Sequence, residues 1–164
     1  MTDFELMGAA LEEARKAAAL GEVPVGAVVA KDGEIISAAH NTRETEKNAL
    51  HHAELLAIDV ACKKLGGWRL WQCELFVTLE PCPMCSGAII NSRIKRVVYG
   101  AADVKAGCCG SVTDLFAQPF NLTPSSRRDC GPMRHSSFAG IFCFTAGQAG
   151  RKAPLEAARD PLNL

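Results

Sequence analysis

Between Phe4 and Leu20 the apolar side chains Phe4, Met7, Leu11, Ala14 and Ala18 recur at steps of three and four residues. That period predicts an amphipathic helix, which Gly21 ends. Val25–Ala30 and Glu34–Ala38 are rich in β-formers and are joined by Lys31-Asp32-Gly33, where Asp-Gly predicts a tight hairpin. After a polar loop, Asn41–Leu50, the stretch His52–Leu65 predicts a second helix that buries Leu55, Leu56, Ile58 and Ala61 and stops at Gly66-Gly67. Glu74–Leu79 then reads as a strand, Pro83–Ser92 as a helix and Arg96–Tyr99 as a strand. Strand, helix and strand in such short steps imply a parallel crossover with helices on both sheet faces, hence a three-layer α/β/α sandwich.

Past Phe120 the texture changes. No leucine or valine occurs between Thr123 and Pro154, while serine, arginine, glycine and proline accumulate. The expected division is therefore a domain over residues 1–121 and an atypical tail over 122–164, either disordered or frameshifted. Back-translation of Asp129–Phe144 in another frame permits an acidic, leucine-rich helix, and only the encoding DNA decides between the two.

A chain of 164 residues suits one domain. Its 18 basic and 18 acidic residues cancel, so a nucleic-acid partner must be argued from local patches, of which Arg93, Lys95 and Arg96 form the best. Asp3 and Glu5 near the start argue against a secretory signal, and no stretch is long and apolar enough to cross a bilayer. A cytoplasmic protein is expected. In that setting the eight cysteines read as thiols or metal ligands rather than disulfides.

Of the cysteines, only Cys82 and Cys85 stand at ligand spacing, in Pro81-Cys82-Pro83-Met84-Cys85 at a predicted helix start. Residues three apart share a helix face, so both sulfurs can reach one ion, and the positive helix end favours thiolate. His52-Ala53-Glu54 opens the other long helix. Two thiolates and an imidazole make three protein ligands and leave a tetrahedral Zn2+ one open position, the arrangement of a catalytic site. Redox use of the Cys-x-x-Cys, or a closed structural site completed by Cys62, Cys73, Cys108 or Cys109, is the alternative. Glu54 reads as a proton carrier beside the metal, or else as a solvated acid in a helical first turn. Two residues apart on an ideal helix, His52 and Glu54 would point to opposite sides, so they can converge only at the first turn, where a side chain reaches past the helix end.

His-x-Glu followed by Pro-Cys-x-x-Cys is the signature of zinc nucleobase deaminases. The sequence resembles that superfamily and, more narrowly, the bacterial tRNA adenosine deaminases. The resemblance runs from Phe4 to Asn121. It is carried by Glu22–Ala27, Asn41, His52–Glu54, Gly67–Leu70, Val77–Cys82, Ser92–Ile94 and Tyr99–Ala101, continuing through Asp103, Lys105 and Gly107. It implies a cytidine-deaminase-like sandwich with a mixed five-stranded sheet, one Zn2+ per subunit on His52, Cys82 and Cys85, and Glu54 as the catalytic acid–base. It also implies that the Ala53 backbone N–H and Asn41 bind the base, that Val23 and Pro24 wall its pocket, and that Asp103 and Lys105 meet ribose and phosphates. The activity implied is conversion of the wobble adenosine of an arginine tRNA to inosine, the partner being a tRNA anticodon stem-loop. A homodimer built on the sheet edge and the helix after Cys85 is implied as well. A free-base enzyme such as guanine deaminase shares the zinc motif and favours Pro-Cys-Pro-Met-Cys, but Ser92-Arg93-Ile94 and the Asp103 loop stand against it. A non-catalytic, zinc-stabilised RNA-binding module is the remaining alternative.

Overall fold

The structure, a computed structural model, describes residues 1–120 and 130–132; the expectations for the tail otherwise lie outside the described residues. Helix α1, Asp3–Ala19, starts at a capping box. The Thr2 hydroxyl accepts from the Glu5 N–H at 3.3 Å, and the Glu5 carboxylate accepts from the Thr2 N–H at 2.8 Å. Strands β1, Gly26–Lys31, and β2, Glu34–His40, form the expected hairpin. Asp32 and Gly33 take φ of 51° and 76°, and the turn needs positive φ at both central positions.

Helix α2, Ala53–Leu65, strand β3, Cys73–Leu79, helix α3, Pro83–Ser92, and strand β4, Arg96–Ala101, follow. A short strand β5, Cys130–Pro132, pairs parallel with β4. The order is β2-β1-β3-β4-β5, with β1 antiparallel to β2 and β3, and with β3, β4 and β5 parallel. The sheet is therefore mixed, and β3-α3-β4 is the parallel crossover.

Alternate residues of each central strand enter different cores, which is why these strands read as unbroken apolar runs. Ala27, Val29, Leu75, Val77, Val97 and Tyr99 pack under α2 and α3. Val28, Ala30, Phe76 and Val98 pack against α1. Three layers result. Among the described residues no helix is long and apolar enough to cross a membrane.

Two helix faces differ from expectation. The buried stripe of α1 comprises Leu6, Met7, Ala10, Leu11, Ala14 and Ala17, whereas Phe4 is 45% exposed and Ala18 half-buried. On α2 the buried face is Ala53, Glu54, Ala57, Ile58 and Ala61, leaving Leu55 and Leu56 half-buried. In both helices alanines share the buried face with a few bulky side chains, Leu6, Met7 and Leu11 in α1 and Ile58 in α2, and the backbones approach the sheet closely at the alanines. Gly26 shows how closely: a Cβ there would fall inside the Ala10 carbonyl oxygen and the Ala14 nitrogen, and 2.7 Å from Glu13 Cβ. Gly26→Ala is thus expected to destabilise the fold by about 3 kcal/mol, the upper part of the range for overpacking. Equilibrium urea unfolding measures it, and wild-type stability would mean that α1 can move off β1 without loss.

Candidate active site

The site forms at the carboxyl ends of β3 and β4, where α/β sheets of this kind bind ligands. His52 is the N-cap of α2, with φ −79° and ψ 148°, and Cys82 is the N-cap of α3, with φ −75° and ψ 174°. Neither side chain caps its own helix. Both are extended residues that turn their side chains towards each other, and Pro83 fits at the first turn of α3 because no N–H is needed there. Cys85, fully buried, joins them from within α3. His52 Nδ1 lies 3.7 Å from Cys82 Sγ and 3.6 Å from Cys85 Sγ, and the three ligand atoms are all within 4.8 Å of one another.

Tetrahedral zinc, with Zn–N of ~2.0 Å and Zn–S of ~2.3 Å, needs ligand atoms about 3.6–3.8 Å apart. The donor set and its spacing therefore fit that ion. Among the described residues no further histidine, cysteine or acid joins the group, so Cys62, Cys73, Cys108 and Cys109 do not close it. Contact with the Cys85 thiol, and then with His52, holds Cys82 well below the usual thiol range, at about 4, while Cys82 pushes Cys85 upward. Their contact favours a thiolate at this spot, the form in which sulfur binds a cation.

Glu54 resolves the spacing problem of the sequence. Because His52 stands outside the helix as its cap, the two do not follow helical spacing, and Glu54 in the first turn reaches the same cavity. Only 4% exposed, its carboxyl is pushed up to about 7, first by burial and then by the Cys82 thiolate. A carboxyl so placed is not a solvated surface acid.

The cavity above these groups has a volume of about 370 Å³, within the ordinary range for small-molecule sites. Asn41, Ala53, Asp103 and Lys105 line it with Val23. Pro24 does not. It is buried, and Val25 stands with Val23 in the apolar wall. The Arg93, Lys95 and Arg96 cluster lies elsewhere. Arg96, at the far end of β4, pairs with Asp3 and with Glu74, the latter at 3.6 Å, while Arg93 donates to the Ile90 carbonyl at 2.9 Å.

Two buried acids beside the site, Glu22 and Glu80, hold loops that line it. Glu22 accepts from Asn41 Nδ2 at 3.0 Å and from the Thr45 N–H and hydroxyl, each at 2.6 Å, so it fixes the Asn41 amide and the loop after it. Glu80 accepts from the Asp103 N–H at 3.0 Å, the Cys109 N–H at 2.8 Å, the Ser111 N–H at 3.1 Å and the Ser111 hydroxyl. Sequence signals were thin. Both lie in stretches carrying the resemblance, but only the folded chain brings donors to them.

A sequence model of the MafB19-like deaminase family matches residues 1–124. The tRNA-specific adenosine deaminase of Bacillus subtilis strain 168 is 50% identical over 145 residues, covering 84% of this chain and 90% of its own. The chain belongs to this deaminase family. A solved structure from work on A-to-I editing by tRNA A34 deaminases at the wobble position of transfer RNA aligns with a TM-score of 0.75 at 38% identity, covering 88% of this chain and 98% of the other. The guanine deaminase of Bacillus subtilis aligns less closely, with a TM-score of 0.61 at 32% identity over 93% of this chain and 99% of the other. The tRNA branch of the family is thereby favoured over the free-base branch, and the protein is an enzyme.

Proposed function

We propose that the protein hydrolytically deaminates the wobble adenosine of a tRNA, by resemblance an arginine tRNA, to inosine. The observation that carries this reading is the convergence of His52, Cys82, Cys85 and Glu54 on the floor of one cavity, in a chain half identical to a tRNA-specific adenosine deaminase. His52, Cys82 and Cys85 would hold one Zn2+, and zinc supplies there a water whose pKa is lowered towards ~7.

Glu54 is the proton carrier. A carboxyl raised to about 7 both takes and returns a proton near neutrality. It takes one proton from water and passes it to N1 of adenine as the oxygen adds at C6, then takes the remaining proton from that oxygen and gives it to the exocyclic amine, so that C6=O forms as the C–N bond breaks and ammonia leaves. The Ala53 N–H belongs to the first turn of α2, whose N–H groups have no partner within the helix, and it binds the base edge. Asn41 keeps a second amide hydrogen for the purine while the first is held by Glu22. Val23 and Val25 supply the apolar wall.

A stacked or paired base cannot reach this floor, so the nucleotide is splayed out of an anticodon stem-loop. Asp103 turns Oδ1 back to the Lys105 and Ala106 N–H groups at 2.9 and 3.3 Å, so Oδ2 is the oxygen that accepts from a ribose 2′-hydroxyl, and Lys105 meets phosphate. The proposal includes a homodimer on α3 and the adjoining sheet edge, and a cytoplasmic setting, where the substrate is found. Inosine formation in an anticodon stem-loop, assayed beside ammonia release from free guanine, tests the reading. Turnover of guanine without inosine in RNA would replace it with the free-base activity.

Three outcomes follow from these assignments. Cys85→Ala is expected to lose zinc and all activity, and retention of one zinc per chain by elemental analysis would remove Cys85 from the ligand set. Glu54→Gln should fold and keep zinc but slow single turnover by at least ~10²-fold, the low end for a positioned acid–base. A near-normal rate would assign the proton transfers elsewhere. Asp103→Asn preserves Oδ1 for the loop but replaces the charged acceptor, so the ratio of RNA to DNA stem-loop turnover should fall. An unchanged ratio would dissociate Asp103 from sugar recognition.

A further inference from the structure

We infer that Glu80 is a positioning residue that sets the affinity for the RNA substrate by mooring the rim loop 103–111 to the segment that carries Cys82. Glu80 is only 2% exposed and directly follows β3, two residues before the first cysteine ligand. Its carboxylate touches the cavity, yet its oxygens are engaged by the loop. Oε1 accepts from the Cys109 and Ser111 N–H groups, and Oε2 accepts from the Asp103 N–H and the Ser111 hydroxyl. Three backbone donors and one hydroxyl on a single buried carboxylate are far more than a loop needs to avoid unfolding. They specify one shape for it.

Three further contacts show how closely the mooring fits. A Cβ on Gly107 would overlap the Glu80 carboxyl, so the loop backbone passes directly over the acid and only glycine permits it. The Cys108 N–H donates to the Pro81 carbonyl at 2.9 Å, and the Glu80 N–H to the Ala101 carbonyl at 2.8 Å. The loop is thereby tied on both sides to the strand end that leads into Cys82. What it presents to the cavity are Asp103, Val104 and Lys105, and Val104, 81% exposed at the tip, touches nothing that would hold the loop by itself. Without Glu80 the loop that carries Asp103 and Lys105 would lose four ties and keep the Cys108 bond to Pro81, while the floor, built from α2 and α3, would keep its own place.

The inference rests on the reading of the cavity as an RNA-deaminating site. Glu80→Gln is the sharpest test because it keeps the shape. With the amide oxygen serving Cys109 and Ser111, the amide nitrogen faces the Asp103 N–H, which loses its acceptor, while the Ser111 hydroxyl can reverse. On an RNA anticodon stem-loop, KM is expected to rise at least about tenfold, the scale of one buried unsatisfied donor. The expected kcat stays within about threefold and elemental analysis still finds one zinc per chain. Ser111→Ala removes a donor without stranding a backbone group and should raise KM about threefold; it decides the matter if the first variant does not fold. Unchanged KM in the folded variants would overturn the inference, as would loss of zinc and kcat in Glu80→Gln, which would make Glu80 a support for the cysteine turn. Failure of the underlying reading is separate, since it appears as absence of inosine in the wild-type protein.

Discussion

Two helices begin at one point in this molecule, and the rest of the structure serves that meeting. His52 and Cys82 are both N-caps in extended conformation, and neither spends its side chain on its own helix. The partial positive charge of two helix N-termini is thus directed at one thiolate-rich spot, which favours the ionised sulfurs that a cation requires. The central strands, apolar on both faces, fix where α2 and α3 start, and the small-residue face of α2 lets its first turn sit low on the sheet. A cap contributes no helix-packing area. It is therefore free to do chemistry, and the stability cost of leaving the helix ends without side-chain caps falls on the site alone.

Burial and charge act together on the floor. Glu54 lies in the same first turn that His52 precedes, so its carboxyl loses water and its proton affinity rises. The thiolate of Cys82 pushes in the same direction. The result is an acid whose two protonation states are close in free energy near neutral pH, the property a carrier of protons needs.

Around this floor the rim is held by a repeated device. A buried carboxylate before the wall strand, Glu22, gathers Asn41 and Thr45, and a buried carboxylate after β3, Glu80, gathers residues 103–111. Each is an acceptor-only group surrounded by N–H and O–H donors, so each disfavours any arrangement of its loop that withdraws a donor. Loops that line the cavity are thereby tied down without regular structure of their own.

The sequence by itself determined the elements and the chemistry of the floor. Apolar period, Asp-Gly at the hairpin, Pro83 at a helix start and the Cys82, Cys85 spacing are local properties, and α3 runs Pro83–Ser92 as its own residues specify. Tertiary structure decided what depends on distance between backbones. The buried faces of α1 and α2 take in alanines beside Leu6, Met7, Leu11 and Ile58, and at Gly26 the backbone of α1 comes too near β1 for a side chain. His52 and Glu54 converge because a cap departs from helical geometry, and Val25 rather than Pro24 meets the cavity. Glu22 and Glu80 acquired roles only when donors from segments about 20 to 30 residues away closed on them. No local pattern marks such an acid, since its partners are side chains remote in sequence and backbone N–H groups that every residue but proline has.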